Sequence, residues 1–291
     1  MSGSYTGHGM GVKADFGHIY DLEDPRGYFN TLSGLDYQAP QHGSRIFDVL
    51  LEEKNSKGRP AKIVDVCCSY GINAALLKTD LTLQDLYARY GSQQLAELPP
   101  EKLAAADNAF YENHRLPRAP EVVGVDVAEN AVSYALQAGL LDAGFAENLE
   151  NEEPSETLRT AVVGADIVTV TGGIGYVWKN TFDRLLSCFD KNEMPWVATF
   201  PLRMVDYASL GGLLEDHGLE TEKLDSRSFQ QRRFVDDRER EHVLQKLSEA
   251  DIDPNGKEDS GWYHSELYLS RPSGETGKVA LNDLPGISSA A

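Results

Sequence analysis

The stretch Lys62-Ile-Val-Asp-Val-Cys-Cys-Ser-Tyr-Gly-Ile-Asn-Ala-Ala-Leu-Leu77 changes from β-forming residues to small residues and then to a helical pattern. It predicts a strand, a tight loop and the start of a helix. In an open α/β sheet such a junction binds nucleotide-like ligands, because the carboxyl end of the strand, the loop amides and the positive end of the helix meet there. We therefore expect a nucleotide-type site at this loop.

Strands and helices alternate on the carboxyl side of this stretch. Strands are predicted at residues 121–126, 165–171 and 195–200, with helices between them, and a final strand is predicted at residues 265–270. Alternation of this kind indicates an α/β fold with a doubly wound, mainly parallel sheet. We expect residues 15–272 to form a single domain.

Two helical additions to this domain are predicted. Residues 15–57 are rich in aromatic side chains and are expected to form an N-terminal helical cap. Residues 79–120 are too many for a loop between a helix and a strand, so they are expected to form a helical insertion. The aromatic residues of the cap could belong to the core, or they could close over a ligand pocket.

The two ends of the chain are small and polar in composition. Residues 1–14 are predicted to be a disordered N-terminus, and residues 273–291 are predicted to be a frayed tail.

The chain has 291 residues, of which 41% are apolar, and a formal charge of −19 from 46 acidic and 27 basic residues. Such a charge disfavours nucleic acid and anionic membrane as partners, because binding to them rests largely on Lys and Arg. The basic cluster Arg227, Arg232 and Arg233 is followed closely by Asp236 and Asp237, so we interpret it as a solvated charged face. A small-molecule substrate is the expected partner, and a homodimer is an assembly that the sequence leaves open.

The three cysteines Cys67, Cys68 and Cys188 give no even disulfide framework and indicate free thiols in a reducing compartment. No Cys-x-x-Cys or His-x-x-x-His spacing occurs, so no metal is predicted. The N-terminus lacks an apolar core, and nowhere do 18 apolar residues run together. These features predict a cytoplasmic protein without a membrane span.

Two acids each close a run of β-forming residues: Asp65 in the first strand and Asp126 at the end of the second. A carboxylate at the tip of the second strand can accept hydrogen bonds from a ribose diol, which makes an adenosine-type ligand plausible. The loop lacks the Gly-x-Gly-x-x-Gly pattern that a pyrophosphate needs, so the ligand is expected to carry no phosphates there. The structural alternatives are that Asp126 caps the next helix and that Asp65 is a buried acid with a polar partner.

On these residues the chain resembles the class I S-adenosylmethionine-dependent methyltransferase superfamily, over roughly residues 62–200. The first motif corresponds to residues 65–71, the second to residues 122–126 and the fourth to residues 165–173. The resemblance implies a Rossmann-like sheet of the class I methyltransferase type and S-adenosylmethionine as the ligand. The first motif differs from the family pattern, because Cys67 and Ser69 stand where the family usually has glycine.

The resemblance also implies which residues surround the ligand. The first loop would contact the methionine part, the end of the second strand would bind the ribose, the next corner would hold the adenine, and the loop after the fourth strand would surround the sulfonium. The residues of the first loop are Asp65, Cys67, Ser69 and Gly71, and the ribose residue is Asp126. The adenine residues are Val127, Asn148 and Leu149, and the sulfonium residues are Thr171 and Gly172.

No usual proton acceptor follows the fourth strand, since an Asp/Asn-Pro-Pro-Tyr motif is missing and residues 172–178 are rich in glycine and aromatic residues instead. Aromatic faces attract cations such as a sulfonium. Residues 20–29 and 172–178 are similar to those of bacterial methyltransferase-like enzymes of specialised metabolism, and we expect a likeness to the azetidine-2-carboxylate synthases among them.

That resemblance implies an intramolecular cyclisation, in which the amino group of S-adenosylmethionine attacks its own γ-carbon and 5′-methylthioadenosine leaves. Tyr176 and Tyr70 would be the catalytic residues, although each could equally be an ordinary core aromatic. Two alternatives stay open. One is N- or O-methyl transfer to a small acceptor, which gives S-adenosylhomocysteine, and the other is a catalytically silent binding module.

Overall fold

The computed structural model describes residues 16–54, 58–276 and 279–287, and the expected disorder of residues 1–14 lies outside these ranges. The helices are α1 Gly17–Tyr20, α2 Arg26–Ser33, α3 Ala39–Lys54, α4 Ile72–Lys78, α5 Leu83–Tyr90, α6 Gln93–Ala96, α7 Pro100–Asn113, α8 Glu129–Gln137, α9 Glu156–Val162, α10 Lys179–Leu186, α11 Ala208–Asp216, α12 Asp237–Glu249 and α13 Ser273–Thr276. The strands are β1 Lys62–Val66, β2 Glu121–Asp126, β3 Ala143–Ala146, β4 Ile167–Thr171, β5 Trp196–Phe200, β6 Leu219–Lys223, β7 Phe229–Arg233, β8 Trp262–Ser265 and β9 Tyr268–Pro272.

Seven strands form the central sheet in the order β3-β2-β1-β4-β5-β9-β6. Strands β1 to β5 pair in parallel, whereas β9 pairs antiparallel with both β5 and β6. Strands β4 and β5 are buried along their whole length, which is typical of strands covered by helices on both faces. The predicted α/β fold with a Rossmann-like, doubly wound and mainly parallel sheet is confirmed.

The order of the strands reverses at β1, which pairs with β2 on one side and β4 on the other. Asp65 lies opposite Gly124 of β2 and Thr169 of β4. A crevice opens at the carboxyl ends of strands at such a reversal, and ligands of open α/β sheets bind there. The loops that carry the predicted site residues all leave the sheet at this edge.

The helices predicted before β1 are present as α1, α2 and α3, and residues 79–120 contain α5, α6 and α7. These two groups of helices pack on each other. The ring of Phe29 stacks on Tyr90 at 4.2 Å between centroids, and the Tyr87 hydroxyl donates to the Tyr37 carbonyl at 2.7 Å. The insertion therefore supports the cap from the side.

A buried carboxylate holds the insertion together. Asp107 accepts hydrogen bonds from the Arg89 guanidinium, from the Tyr90 hydroxyl at 2.5 Å and from the Tyr134 hydroxyl of α8 at 2.6 Å. A buried charge is tolerated when it is paired and hydrogen-bonded in this way. This cluster ties α5 and α7 to the main domain.

The end of the chain differs from the sequence prediction in two respects. The expected single strand at residues 265–270 is two strands, because the chain leaves β8, where Ser265 pairs with Phe229 of β7, and enters the central sheet as β9. The tail after Pro272 is not frayed where it is described. Leu281, Leu284 and Ile287 are at most 3% exposed and pack in the core beside α3, because burial removes these large apolar side chains from water.

The basic cluster also differs from its interpretation as a solvated face. Arg232 is 2% exposed and forms a two-bond ion pair with Glu239 of α12, at 2.6 and 2.9 Å. The pair joins β7 to α12, and paired geometry of this kind allows an arginine to be buried. Across the described residues, no helix is both long and apolar enough to cross a bilayer.

Candidate active site

The loop after β1 adopts the backbone conformation that glycines would give it. Cys67, Ser69 and Gly71 have φ angles of +60°, +48° and +76°. Left-handed backbone costs a residue with a β-carbon about 1–2 kcal/mol. The first motif thus keeps a glycine-like path although two of its three left-handed positions carry side chains.

Neighbouring glycines make room for those side chains. A β-carbon added at Gly173 would lie 2.6 Å from Cys67 Sγ, and one added at Gly124 would lie 2.7 Å from Cys68 Sγ. Both thiols are free, and burial raises the pKa of each well above its usual value. We conclude that the two cysteines are protonated packing groups in the loop.

Asp65 is 1% exposed and carries one unmatched oxygen. Its Oδ1 accepts from Asn73 Nδ2 at 2.9 Å and from Thr169 Oγ1 at 2.8 Å. Its Oδ2 is buried and accepts no hydrogen bond from the described residues. Burial raises the pKa of this carboxyl to about 6. A buried oxygen without a donor is costly, so Oδ2 is available to a hydrogen-bond donor of a ligand.

Asp126 ends β2 and binds two backbone amides. Its Oδ2 accepts from the Ser69 amide at 2.9 Å and its Oδ1 from the Ala128 amide at 3.0 Å. Burial raises the pKa of Asp126, although these amides stabilise its ionised form. The helix-capping alternative is wrong, because Ala128 occupies the cap position of α8 and no side chain caps this helix. The carboxylate instead joins the first loop to the residue just before α8.

The next corner contains the predicted adenine residues in three different environments. Val127 is 41% exposed, Leu149 is buried in the core at 3% exposure, and the Asn148 side chain accepts from the Glu150 amide at 3.2 Å. Sequence reasoning missed Glu150, whose carboxylate accepts from the backbone amides of Trp178 and Thr181. An acid at the start of a helix is favourable, so Glu150 fixes the beginning of α10 beside the loop after β4.

The loop after β4 borders a small cavity of about 20 Å³, the space of about one water molecule. Gly172 has a φ of +76°, and a β-carbon there would lie 2.7 Å from the Tyr37 hydroxyl, so only glycine allows this approach. Thr171 lies just below and accepts from Asn73 Nδ2 at 3.2 Å. The residues that line the cavity come from the cap, this loop and β7: Phe16, Tyr20, Leu32, Tyr37, Gly172, Tyr176, Gln231 and Arg232.

Of the two predicted catalytic tyrosines, Tyr176 lines the cavity and Tyr70 does not. The Tyr70 hydroxyl accepts from the Leu22 amide at 2.8 Å and donates to the Leu22 carbonyl at 2.9 Å or the Ile19 carbonyl at 3.3 Å. Its hydroxyl is thus used by the backbone of the cap. This makes Tyr70 a positioning residue rather than a group that faces the cavity.

The cap is fixed over the site by polar contacts to both sides of the sheet edge. Asp21 Oδ1 accepts from the Asn130 amide at 2.8 Å at the start of α8. On the other side, the Gln38 amide donates to the Gln231 carbonyl at 2.7 Å, and Arg233 pairs with Asp36 at 2.6 Å. The sequence left open whether the aromatic residues of the cap belong to the core or close over a pocket, and they do both. Tyr28 and Phe29 are core residues. Phe16, Tyr20 and Tyr37 line the cavity.

Gln231 and Arg232 are cavity residues that sequence reasoning missed. They lie on β7, far in sequence from the motifs, and the basic residues around them resemble an exposed surface. Gln231 is 2% exposed, and its Oε1 is buried without a hydrogen-bond donor among the described residues. The only signal in the sequence was the pair of β-forming segments on either side of α12, which could have predicted a hairpin.

Burial raises the pKa of Tyr20 and of Tyr37 well above the usual value, so both phenols keep their protons. The described part of the chain contains no group of three or more His, Cys, Asp or Glu residues that could hold a metal ion. The cavity is therefore lined mainly by aromatic faces, by the amide of Gln231 and by the ion-paired Arg232. Asp65, with its unmatched Oδ2, lies in β1 and is not among the lining residues.

Comparison with known proteins gives structural similarity only. No protein-family model matches the chain, and no curated protein matches it. A TehB-like SAM-dependent methyltransferase from Corynebacterium glutamicum is similar at 13% identity, over 79% of this chain and 88% of that chain, with a TM-score of 0.39.

Two further structures are similar to the same degree. The magnesium protoporphyrin IX methyltransferase ChlM from Synechocystis, with bound SAM, has 12% identity over 89% of this chain and 86% of its own, with a TM-score of 0.38. The plantazolicin methyltransferase BamL has 11% identity over 84% and 89%, with a TM-score of 0.44. At these identities the similarity concerns the fold alone.

Proposed function

We propose that this protein is an enzyme that binds S-adenosylmethionine at the carboxyl ends of β1, β2 and β4. The observation that carries the proposal is the unmatched Oδ2 of Asp65, a buried acceptor beside a loop with glycine-like backbone. An amino group of the methionine part would satisfy it. Asp126 would bind the ribose through the lone pairs that its two backbone contacts leave free, and the aromatic cavity would receive the sulfonium.

The reaction we propose is cyclisation of the substrate to azetidine-2-carboxylate. The ammonium first loses a proton, the amine lone pair then forms a bond to the γ-carbon, and the electrons of the breaking carbon–sulfur bond stay on sulfur. The neutral thioether 5′-methylthioadenosine leaves. Asp65 is our candidate to receive the proton, because its Oδ2 is unmatched and burial raises its pKa to about 6.

The size and covering of the cavity support a reaction without a large acceptor. The cavity has room for about one water-sized group, about 20 Å³, and residues of the cap form one wall of it. A closed aromatic site would fold the methionine arm and exclude water, which are the two requirements of a ring closure. Methyl transfer to a small acceptor is the alternative that experiment must separate.

The decisive experiment gives the purified protein S-adenosylmethionine alone and separates the products by liquid chromatography and mass spectrometry. Cyclisation predicts equal amounts of 5′-methylthioadenosine and azetidine-2-carboxylate, above the spontaneous breakdown in a protein-free sample. S-adenosylhomocysteine that forms only with an added acceptor would show methyl transfer instead. Binding without any turnover would show a catalytically silent module.

A further inference from the structure

Gln231 is an unassigned residue with an unmet hydrogen-bonding need inside the cavity. It is 2% exposed, and its side-chain Oε1 accepts no hydrogen bond from any described residue. Leaving such an acceptor unmatched destabilises the unliganded protein. A donor supplied by a bound molecule would remove this destabilisation.

The strand around Gln231 is held in place before any ligand binds. The Gln231 carbonyl accepts from the Gln38 amide at 2.7 Å, which fixes β7 against the cap. A β-carbon at Gly172 would lie 3.6 Å from Gln231 Nε2 and 2.7 Å from the Tyr37 hydroxyl. The side-chain amide of Gln231 and the phenol of Tyr37 thus both lie against the backbone of the loop after β4. The residues around the sulfonium are expected at this loop.

The charge around the cavity favours a neutral donor. Arg232 is the charged residue among those that line the cavity. The carboxylate of Glu239, with which it pairs, is not among the lining residues. Burial disfavours an ammonium relative to a neutral amine. Once Asp65 has taken a proton, the N–H bonds of a neutral amine are the donors that remain on the methionine arm.

We propose that Gln231 Oε1 accepts a hydrogen bond from the neutral amine of the methionine arm, and that this contact makes the site selective for ligands that carry the amine. The inference rests on the proposed function, since it names one contact of the same ligand. The amide orients the amine without taking a charge, so its lone pair stays free to attack a carbon atom.

Calorimetry with two stable ligands tests this contact. S-adenosylhomocysteine carries the amine, and its deamino analogue lacks the amine but keeps the carboxylate. Gln231→Leu should bind S-adenosylhomocysteine about tenfold more weakly than the unmodified protein does, and it should bind the deamino analogue with unchanged affinity. The matched control is Gln230→Leu, which changes the adjacent glutamine outside the cavity lining and should leave both affinities unchanged.

A charged variant tests the neutral state of the amine. Gln231→Glu should bind S-adenosylhomocysteine at least as tightly, because its carboxylate holds an ammonium. Turnover of S-adenosylmethionine by this variant should fall more than tenfold at pH 7, because the amine keeps its proton. A merely structural role of Gln231 would lower the affinity for both ligands together.

The outcomes separate two failures. Equal affinities of Gln231→Leu and the unmodified protein for S-adenosylhomocysteine, or equal losses for both ligands, would overturn the role of Gln231 alone. If the unmodified protein bound neither S-adenosylmethionine nor S-adenosylhomocysteine, the proposed function would fall and this inference with it.

Discussion

The side chain of Cys67 fills the space that Gly173 leaves open. A β-carbon at position 173 would lie 2.6 Å from Cys67 Sγ and 2.8 Å from its Cβ, and Cys67 itself has a φ of +60°. The first loop therefore carries a cysteine at a left-handed position, and the loop after β4 provides a glycine opposite it. The two positions are expected to be energetically coupled.

This coupling predicts a rescue. Gly173→Ala should lower the free energy of unfolding by about 2 kcal/mol, because the added methyl group overpacks a buried contact. The double variant Cys67→Gly with Gly173→Ala should recover most of that loss, since the thiol is gone and glycine tolerates the left-handed backbone. Urea unfolding of the four proteins in a double-mutant cycle measures the coupling. Additive effects of the two substitutions would contradict the contact.

Asp65→Asn should separate stability from function. The pKa of Asp65 in the folded protein is raised to about 6 from 3.8. Its protonated form is therefore favoured by folding, and this contribution is present below pH 4 and lost as pH rises through 6. Asparagine avoids the buried charge, so the variant should be more stable than the unmodified protein above pH 6, by up to about 3 kcal/mol, and similar to it at pH 4.

Urea unfolding at pH 4 and at pH 7.5 checks this prediction, with the exposed Asp216→Asn as the matched control. The same Asp65→Asn variant should bind S-adenosylmethionine at least tenfold more weakly and lose turnover, because the acceptor for the amino group has changed. A variant that is less stable at pH 7.5, with unchanged ligand affinity, would show that Asp65 is a structural acid only.

Asp126→Ala should weaken ligand binding at least tenfold, because the hydrogen bonds to the ribose are lost. It should also cost about 1–2 kcal/mol of stability, since the amides of Ser69 and Ala128 lose their acceptor. Thr82→Ala is a matched control, because Thr82 caps α5 in the insertion by accepting from the Asp85 amide at 3.2 Å. The control should lose similar stability and keep its affinity by calorimetry. Unchanged binding by Asp126→Ala would remove the ribose assignment.

Tyr70→Phe should loosen the cap. The change removes the hydrogen bond from the partly buried Leu22 amide, which costs about 1 kcal/mol. Limited proteolysis should then cleave the segment around residues 16–25 at least several-fold faster, and a bound ligand should slow the cleavage. Tyr111→Phe is the comparison, because its hydroxyl bonds to Tyr90 inside the insertion. If Tyr111→Phe exposed the same segment equally, the hydroxyl of Tyr70 would not be what holds the cap.

Local sequence was sufficient where neighbouring residues along the chain make the structure. Lys62 to Leu77 predicted a strand, a turn and a helix, and these are β1, the loop after it and α4. The alternation of strands and helices predicted the doubly wound sheet, since each strand and helix carries its own hydrophobic pattern. Asp65 and Asp126 were visible for the same reason, because each ends or nearly ends a buried strand.

Tertiary structure decided everything that depends on residues far apart in sequence. Arg232 looked like part of a solvated face, yet Glu239 of α12 pairs with it in the interior. Gln231 reaches the cavity only because β7 packs against the cap, 193 positions from Gln38 (231 − 38), to which its carbonyl is bonded. No local pattern encodes such contacts, since their free energy exists only when the separate segments meet.

The first loop shows which features local sequence determines and which depend on tertiary contacts. Its sequence by itself determined a strand end at Val66, a helix start at Ile72 and a site with one glycine between them. Only the tertiary structure decided that Cys67 and Ser69 take the left-handed backbone of the missing glycines. The physical reason is that Gly173 admits the cysteine side chain and Asp126 binds the Ser69 amide, so packing and one hydrogen bond outweigh the local backbone cost.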